Sequence, residues 1–204
     1  MTKVFVDVGL SLDGFIAGPN GGPGNPLGDQ GVRIHEWVFA LASFRERLGM
    51  TGGETGGDDA IVRQVFARCG AYVMGRRMFD EGEVSWPENP PFRALVFVLT
   101  HHKRTPWVRD GGTTFHFVTD GMESALRQAK AAAGSLDVRI SGGADTVRQY
   151  IKAGLVDELT IHLAPVLLGT GTRLFDGADA TQRPIEPVAA VTSKGVTHLT
   201  YRFA

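Results

Sequence analysis

The sequence predicts one three-layer α/β domain over residues 1–204, with a mostly parallel central sheet finished by a C-terminal antiparallel hairpin. Three observations carry this. Strand-like and helix-like stretches alternate through most of the chain, the pattern of a parallel sheet with crossover helices. Residues 94–100, ALVFVLT, are apolar throughout, as a strand covered on both faces should be. The end of the chain is strand-rich, with 188–192 and 196–203 forming a hairpin around Ser193-Lys194-Gly195.

The elements follow in order. Residues 3–10, KVFVDVGL, alternate as a strand. Gly14 and Gly18 then bracket an apolar Phe15-Ile16-Ala17, which suggests a bend and a return towards the core. Residues 19–31 carry three prolines and five glycines and read as loop. Trp37, Leu41, Phe44 and Leu48 recur at helical spacing, which predicts one helix over 34–48 closed by Gly49. A second Gly-rich loop covers 50–57, and Asp58-Asp59 opens a helix that runs through Ala67. Residues 71–74 form a short strand, left through Gly75-Arg76-Arg77 into a helix or turn. The central strand 94–100 ends at His101-His102, a further strand covers 114–118, and a helix covers 122–133. Residues 138–141 form a strand that passes through Gly142-Gly143 into a helix ended by Gly154. A strand over 158–165 and a glycine-broken crossing over 166–175 precede the hairpin.

Composition excludes several functions. The net charge of −1 gives no electrostatic case for nucleic acid or an anionic membrane. No apolar run reaches membrane-spanning length, and the N-terminus lacks the long apolar region of a signal peptide, so the expectation is a cytoplasmic protein. The single cysteine, Cys69, excludes an intrachain disulfide and reads as a buried, inert thiol at a helix end. No P-loop, no G-x-G-x-x-G and no G-x-S-x-G elbow is present. His35-Glu36 begins an H-E-x-x-H pattern, but Phe39 takes the second histidine position, and no metal site is expected.

Two features bear on a ligand. Strand, Gly142-Gly143, helix is either a phosphate seat or a tight turn packed on its own helix, and these residues alone favour neither. Arg76-Arg77, just past a strand end, suits a phosphate monoester through forked hydrogen bonds. Three predicted strand ends carry polar, glycine or basic residues: Gly75-Arg76-Arg77, Thr100-His101-His102 and Ser141-Gly142-Gly143. Ligands of parallel sheets bind beyond such ends, which points to a nucleotide-like ligand.

Leu12-Asp13-Gly14-Phe15-Ile16-Ala17, Tyr72-Val73-Met74-Gly75-Arg76, Ser141-Gly142-Gly143, Asp157-Glu158-Leu159 and Pro165-Val166-Leu167-Leu168-Gly169 occur in that order. Together they resemble the dihydrofolate reductase superfamily, in the branch of the reductase domain of riboflavin biosynthesis. The resemblance implies a sheet of about eight strands and an NADPH-dependent reductase of a small heterocycle. The substrate it names is the 5-amino-6-(5-phosphoribosylamino)uracil of riboflavin synthesis. A dihydrofolate or pterin reductase and a non-catalytic NADPH-binding protein are the alternatives. By resemblance, Ile16 and Ala17 line the nicotinamide, and Gly75, Arg76 and Arg77 hold the adenosine 2′-phosphate and its neighbour. Thr100 and His101 sit near the adenine ribose, and Ser141, Gly142, Gly143, Ala144 and Asp145 receive the pyrophosphate. Glu36 and Asp13 are the candidate catalytic carboxylates, against the plainer readings of a solvent-facing helix residue and a turn cap. The two Gly-rich loops are expected to set specificity, and the C-terminal strands to pair across a homodimer. The sequence departs from true dihydrofolate reductases in lacking their Trp-Pro pattern before the helix, and these residues offer no Cys and His set to build a deaminase domain.

Overall fold

Strand β1 (Val4–Ser11) sits inside the sheet, and its alternation divides the molecule. Val4, Val6, Val8 and Leu10 enter one apolar core, while Phe5 enters a second. Successive side chains of a strand point to opposite faces, so Asp7, Gly9 and Ser11 lie on the Phe5 side. The computed structural model describes residues 2–176 and 183–204.

The other strands are β2 (Phe15–Ala17), β3 (Cys69–Gly75), β4 (Leu95–Leu99), β5 (Trp107–Val108), β6 (Thr114–Val118), β7 (Asp137–Gly142), β8 (Glu158–Ala164), β9 (Thr172–Arg173), β10 (Ile185–Thr192) and β11 (Thr197–Phe203). The helices are α1 (Glu36–Phe39), α2 (Ala42–Arg47), α3 (Gly57–Arg68), α4 (Arg76–Glu83), α5 (Met122–Ala133) and α6 (Ala144–Lys152). Nine strands form one sheet in the order β10-β11-β8-β1-β7-β3-β4-β6-β5, and β2 pairs with β9 in a separate ribbon. The run from β8 to β6 is parallel throughout. Antiparallel β11 and β10 finish one side and antiparallel β5 the other, so the sheet is mostly parallel as the alternation requires.

Both faces are covered. On the first, α5 contributes Ala125, Leu126, Ala129 and Ala133, and α6 contributes Val147 and Tyr150, packed over Val73, Val138 and Ile140. The Tyr150 hydroxyl donates to the Met122 carbonyl at 2.6 Å and ties the two helices together. On the second, Phe79 of α4 lies edge-on to Trp86, Trp107, Phe115 and Phe117, with ring centroids 5.0–6.0 Å apart. Arg68 at the end of α3 bridges Asp137 at 2.9 Å and also Glu158, clasping the entries of β7 and β8.

Most predicted elements stand close to their expected bounds, and the exceptions have physical causes. The single helix expected over 34–48 is three pieces: a 3₁₀ turn, Gly31–Ile34, then α1, then α2. The chain opens at Leu41, which is extended at φ −73°, ψ 141°. There the Ala42 amide donates to the Glu54 carbonyl and the Glu54 amide to the Ala40 carbonyl, both at 2.8 Å. Leu41 is therefore buried as the periodicity asked, but through a bridge to the second Gly-rich loop and not through a continuous helix. Cys69 is the C-cap of α3, the helix end expected, and also the first residue of β3. It is buried, and burial pushes its thiol pKa up, which fits an inert residue. The two-residue strand β5 carries too short a signal for alternation to reveal.

Candidate functional site

The carboxyl ends of the parallel strands open onto one cleft of about 980 Å³. Every residue assigned to the cofactor by resemblance lines it: Ile16, Ala17, Gly75, Arg76, Arg77, Thr100, His101, Ser141, Gly142, Gly143, Ala144 and Asp145. Two of these groups belong to helix N-termini that start directly from strand ends, α4 from Gly75 and α6 from Gly143. Such ends present free N–H groups and a partial positive charge.

The glycines there differ in purpose. A Cβ on Gly75 would fall 2.3 Å from Thr146 Oγ1, so this glycine lets the end of β3 approach α6. A Cβ on Gly143 would meet nothing within 4 Å, so no protein contact requires a glycine there. The Gly142-Gly143 peptide is cis. Ser141 Oγ is buried and has no hydrogen-bond partner among the described residues. An open cradle beside an unpaired buried hydroxyl fits a ligand that fills the one and bonds the other.

Both arginines are oriented by their own helix. Arg76 Nε donates to Asp80 at 2.6 Å and Arg77 Nε to Glu81 at 2.8 Å, one helical turn on. Arg76 also donates to Thr100 Oγ1 at 3.4 Å, which links the ends of β3 and β4. The Thr100 hydroxyl accepts the His102 amide at 3.1 Å. The carboxylates hold the guanidinium groups in place and offset part of their charge.

The other half of the cleft is aromatic and apolar, with Trp37, Phe39, Phe44, Phe66 and Trp86 among its walls. Its floor is polar. On the Phe5 face of the sheet, Asp7 of β1 meets Arg139 of β7 at 3.0 Å and His162 Nε2 of β8 at 3.0 Å. His162 Nδ1 lies 2.7 Å from His198 Nδ1 of β11, and His198 Nε2 lies 3.1 Å from Asp58 Oδ1 of α3. Burial acts to raise the Asp7 pKa, but His162 and then Arg139 hold it well below the usual carboxylate range. His35 lines the cleft, and burial, with His162 and Arg139 nearby, pushes its pKa down to about 4. Gly9 makes room for it, since a Cβ there would lie 2.9 Å from His35 Cε1.

Comparison with known proteins gives the same frame. Residues 2–202 match the model of the RibD C-terminal domain family. The chain belongs to that family. Protein YyaP of Bacillus subtilis, itself uncharacterised, is 25% identical over 205 residues, covering 98% of this chain and 95% of its own length. Among solved structures, a riboflavin-biosynthesis-assigned protein from Shewanella sp. PV-4 superposes with a TM-score of 0.66 at 22% identity, over 100% of this chain and 99% of that one. The deaminase/5-amino-6-(5-phosphoribosylamino)uracil reductase of Thermotoga maritima gives 0.62 at 13%, over 100% of this chain and 57% of the longer one. Dihydrofolate reductase from Enterococcus faecalis, complexed with NADP(H), gives 0.54 at 13%, over 98% and 96%. The fold is dihydrofolate reductase-like.

Within this RibD C-terminal domain, the two candidate carboxylates lie away from the cleft. Glu36 is exposed at the first turn of α1, because the break into short helices turns His35, Trp37, Val38 and Phe39 to the cleft instead. Asp13 serves the loop: it accepts the Ser11 hydroxyl at 2.6 Å and the amides of Leu168 and Gly169 at 3.1 and 2.7 Å. The Ser11 bond and these amides hold its pKa down to about 2. It pins the Leu12-Asp13-Gly14 turn to the Pro165–Gly169 segment. Of the two Gly-rich loops, the first reaches the cleft through Gly21, Pro26 and Leu27, while no residue of 50–57 lines it. Sequence reasoning missed the floor. Asp7, Arg139, His162 and His198 are spaced far apart in the chain, and only strand register brings them together. Among the described residues, no three such groups converge as metal ligands, and no helix is long and apolar enough to cross a membrane.

Proposed function

We propose that this chain is an NADPH-dependent oxidoreductase that reduces a small, flat heterocycle. The observation that carries the reading is the joining of Gly75-Arg76-Arg77, Thr100-His101 and Ser141–Asp145 with an aromatic half-pocket in one cleft. Arg76 and Arg77 would hold the 2′-phosphate, and Ser141, Gly142 and Gly143, with the α6 N-terminus, the pyrophosphate. Ile16 and Ala17 would flank the nicotinamide, and the reduced nicotinamide supplies the hydride. The aromatic walls would stack the acceptor ring and exclude water. The named substrate is 5-amino-6-(5-phosphoribosylamino)uracil, as for the relative from T. maritima. A pterin is the second reading, because a carboxylate on the cleft floor, Asp7, suits the amino-pyrimidine edge of a pterin.

The test is titration with NADPH and NADH, followed by NADPH oxidation over a panel of the phosphoribosylaminouracil, its ribityl and dephosphorylated forms, pterins and dihydrofolate. Tighter binding of NADPH and turnover with one panel member are expected. NADPH binding without turnover would leave a non-catalytic binder, and absence of NADPH binding would refute the reading. A homodimer is part of the proposal: among the described residues β10 is an edge strand, paired on one side with β11, that exposes Ile185, Val188 and Val191. Sedimentation at micromolar concentration should find two copies, and a clean monomer would count against it.

A further inference from the structure

The cleft floor continues into a line of hydrogen bonds that leads to the surface. Asp7, His162 and His198 are each about 5% exposed or less, whereas the Asp58 side chain at the start of α3 is 24% exposed. The line follows from strand register. His162 and His198 are direct cross-strand partners on β8 and β11, so their rings meet. His162 also faces Gly9 on β1, and its imidazole reaches back to Asp7, which lies on the same face of that strand. Trp37 packs against both imidazoles, with ring centroids 5.0 and 5.2 Å away, and shields the pair.

Counting protons along this line gives a definite answer. Three bridges join the four groups: Asp7 to His162 Nε2, His162 Nδ1 to His198 Nδ1, and His198 Nε2 to Asp58. Each bridge needs one proton. Two neutral imidazoles carry one N–H each, which fills two. With both carboxylates ionised, the third bridge would set a nitrogen lone pair against an oxygen or another nitrogen at 2.7–3.1 Å. One additional proton fills all three. Moving each bridging proton across its own bridge shifts that extra proton from the Asp58 end to the Asp7 end without breaking the line.

We propose that Asp7, His162, His198 and Asp58 form a store for one proton that opens onto the cleft at Asp7 and His162 and protonates the substrate during reduction. This inference rests on the reductase reading above. Hydride addition to a C=N or C=O bond leaves the heteroatom one proton short; the store gives that proton, and water refills the vacated bridge after product leaves. His198 and Asp58 act through His162 as positioning residues. Glu36 and Asp13, which lie away from the cleft, are not needed for the step. The groups that face the line are Arg139 from β7, Arg68 from α3 and His35 from the segment before α1. Burial lowers the His198 pKa, while Asp58 and Asp7 draw it upwards. Loading is therefore expected as pH falls, as one event shared by both rings.

The experiment is imidazole ¹⁵N NMR on the intact chain without cofactor, across the pH range in which it stays folded. His162 and His198 should take up one proton between them in a single coupled step. Asp58→Asn should move that step down by about 1–3 pH units, because it removes an adjacent opposite charge. Two independent protonations, or a step unmoved by Asp58→Asn in a protein with unchanged melting, would overturn the store. His198→Gln provides a second variant, expected to abolish the coupled step while leaving NADPH titration unchanged. Delivery is read from the pH profile of NADPH oxidation with whichever panel member turns over: Asp58→Asn should displace the profile in the direction and by the extent of the NMR step. A profile that stays fixed while the NMR step moves would overturn delivery. The two readings fail separately, since absence of NADPH binding or of turnover defeats the reductase, whereas NADPH turnover with uncoupled imidazoles defeats the store alone.

Discussion

Gly143→Ala separates the fold from the ligand more cleanly than any other substitution in this chain. The backbone at Gly143 is at φ −66°, ψ −167°, an extended conformation without a positive φ, and a Cβ there meets no atom within 4 Å. The folded protein should therefore accept alanine without a clash, at a cost of about 0.5–1.5 kcal/mol at the helix start, because glycine is a better N-cap residue than alanine. The methyl group would instead stand in the cradle in front of Ser141–Asp145. Forcing a ligand against an added methyl costs about 1–3 kcal/mol, or roughly a 5- to 150-fold weaker Kd for NADPH. Thermal unfolding and NADPH titration on the same preparation measure both sides. Melting lowered by no more than a few degrees with at least fivefold weaker binding is the expected pair. The same small drop in melting with unchanged binding would show that nothing lies against Gly143, and the pyrophosphate assignment would fall.

Other substitutions probe the remaining assignments. Replacing Arg76 and Arg77 by Ala should weaken NADPH by about 10- to 100-fold, the range for lost charge-assisted hydrogen bonds to a partly exposed site, and NADH by less than about threefold; equal losses would remove the 2′-phosphate role. Gly75→Ala should destabilise the fold by about 1–3 kcal/mol, because its Cβ would meet Thr146 Oγ1 at 2.3 Å, and Thr146→Ala in the same chain should restore much of the loss; additive melting shifts would refute the contact. Asp13 has a folded pKa of about 2 against 3.8, so its contribution is fully present above pH 3.8 and disappears as pH falls through about 2. The gap in melting temperature between the wild-type chain and Asp13→Asn should therefore close between those pH values, and a constant gap would show that ionisation of Asp13 is not involved.

The half of the cleft proposed to hold the cofactor was legible in the sequence because its signals are local. Gly142-Gly143 and Gly75-Arg76-Arg77 each mark a strand that turns straight into a helix, and one helix turn sets the arginine partners Asp80 and Glu81. The substrate half was not legible, because its residues are gathered by register. Alternation in ELTIHLA places His162 opposite Leu159 and Ile161, but nothing local states that β11 will set His198 against it. The same limit explains Glu36. The resemblance offers it across a long loop whose register the sequence does not fix, and it stands exposed at the first turn of α1, as in the plainer reading of a solvent-facing helix residue. Two of the five motifs that carried the resemblance are contact partners in the structure, since Asp13 accepts the Leu168 and Gly169 amides.

The distribution of charge along the cleft bears on the substrate. The proposed cofactor half combines two helix N-termini with Arg76 and Arg77, whereas the aromatic half has Arg139 as its cation among the described residues that line it. Arg139 commits its Nη2 to Asp7, donating to the carbonyl at 2.6 Å and to the carboxylate at 3.0 Å, while its Nε is buried out of reach of a ligand in the cleft. Diverting it to a substrate phosphate would leave the buried Asp7 carboxylate short of a partner, at a cost of about 3–5 kcal/mol for a broken buried pair, more than a phosphate contact of about 1.5–3 kcal/mol would return. A phosphate on the substrate is thus expected to stay in solvent at the mouth of the cleft, with recognition carried by the ring. The phosphorylated and dephosphorylated forms of the ribosylaminopyrimidine should then show KM values within about threefold of each other, a difference near 0.6 kcal/mol. A preference for the phosphorylated form of more than about tenfold, or 1.4 kcal/mol, would mean that a cation reaches the phosphate after all and that ring recognition alone does not select the substrate.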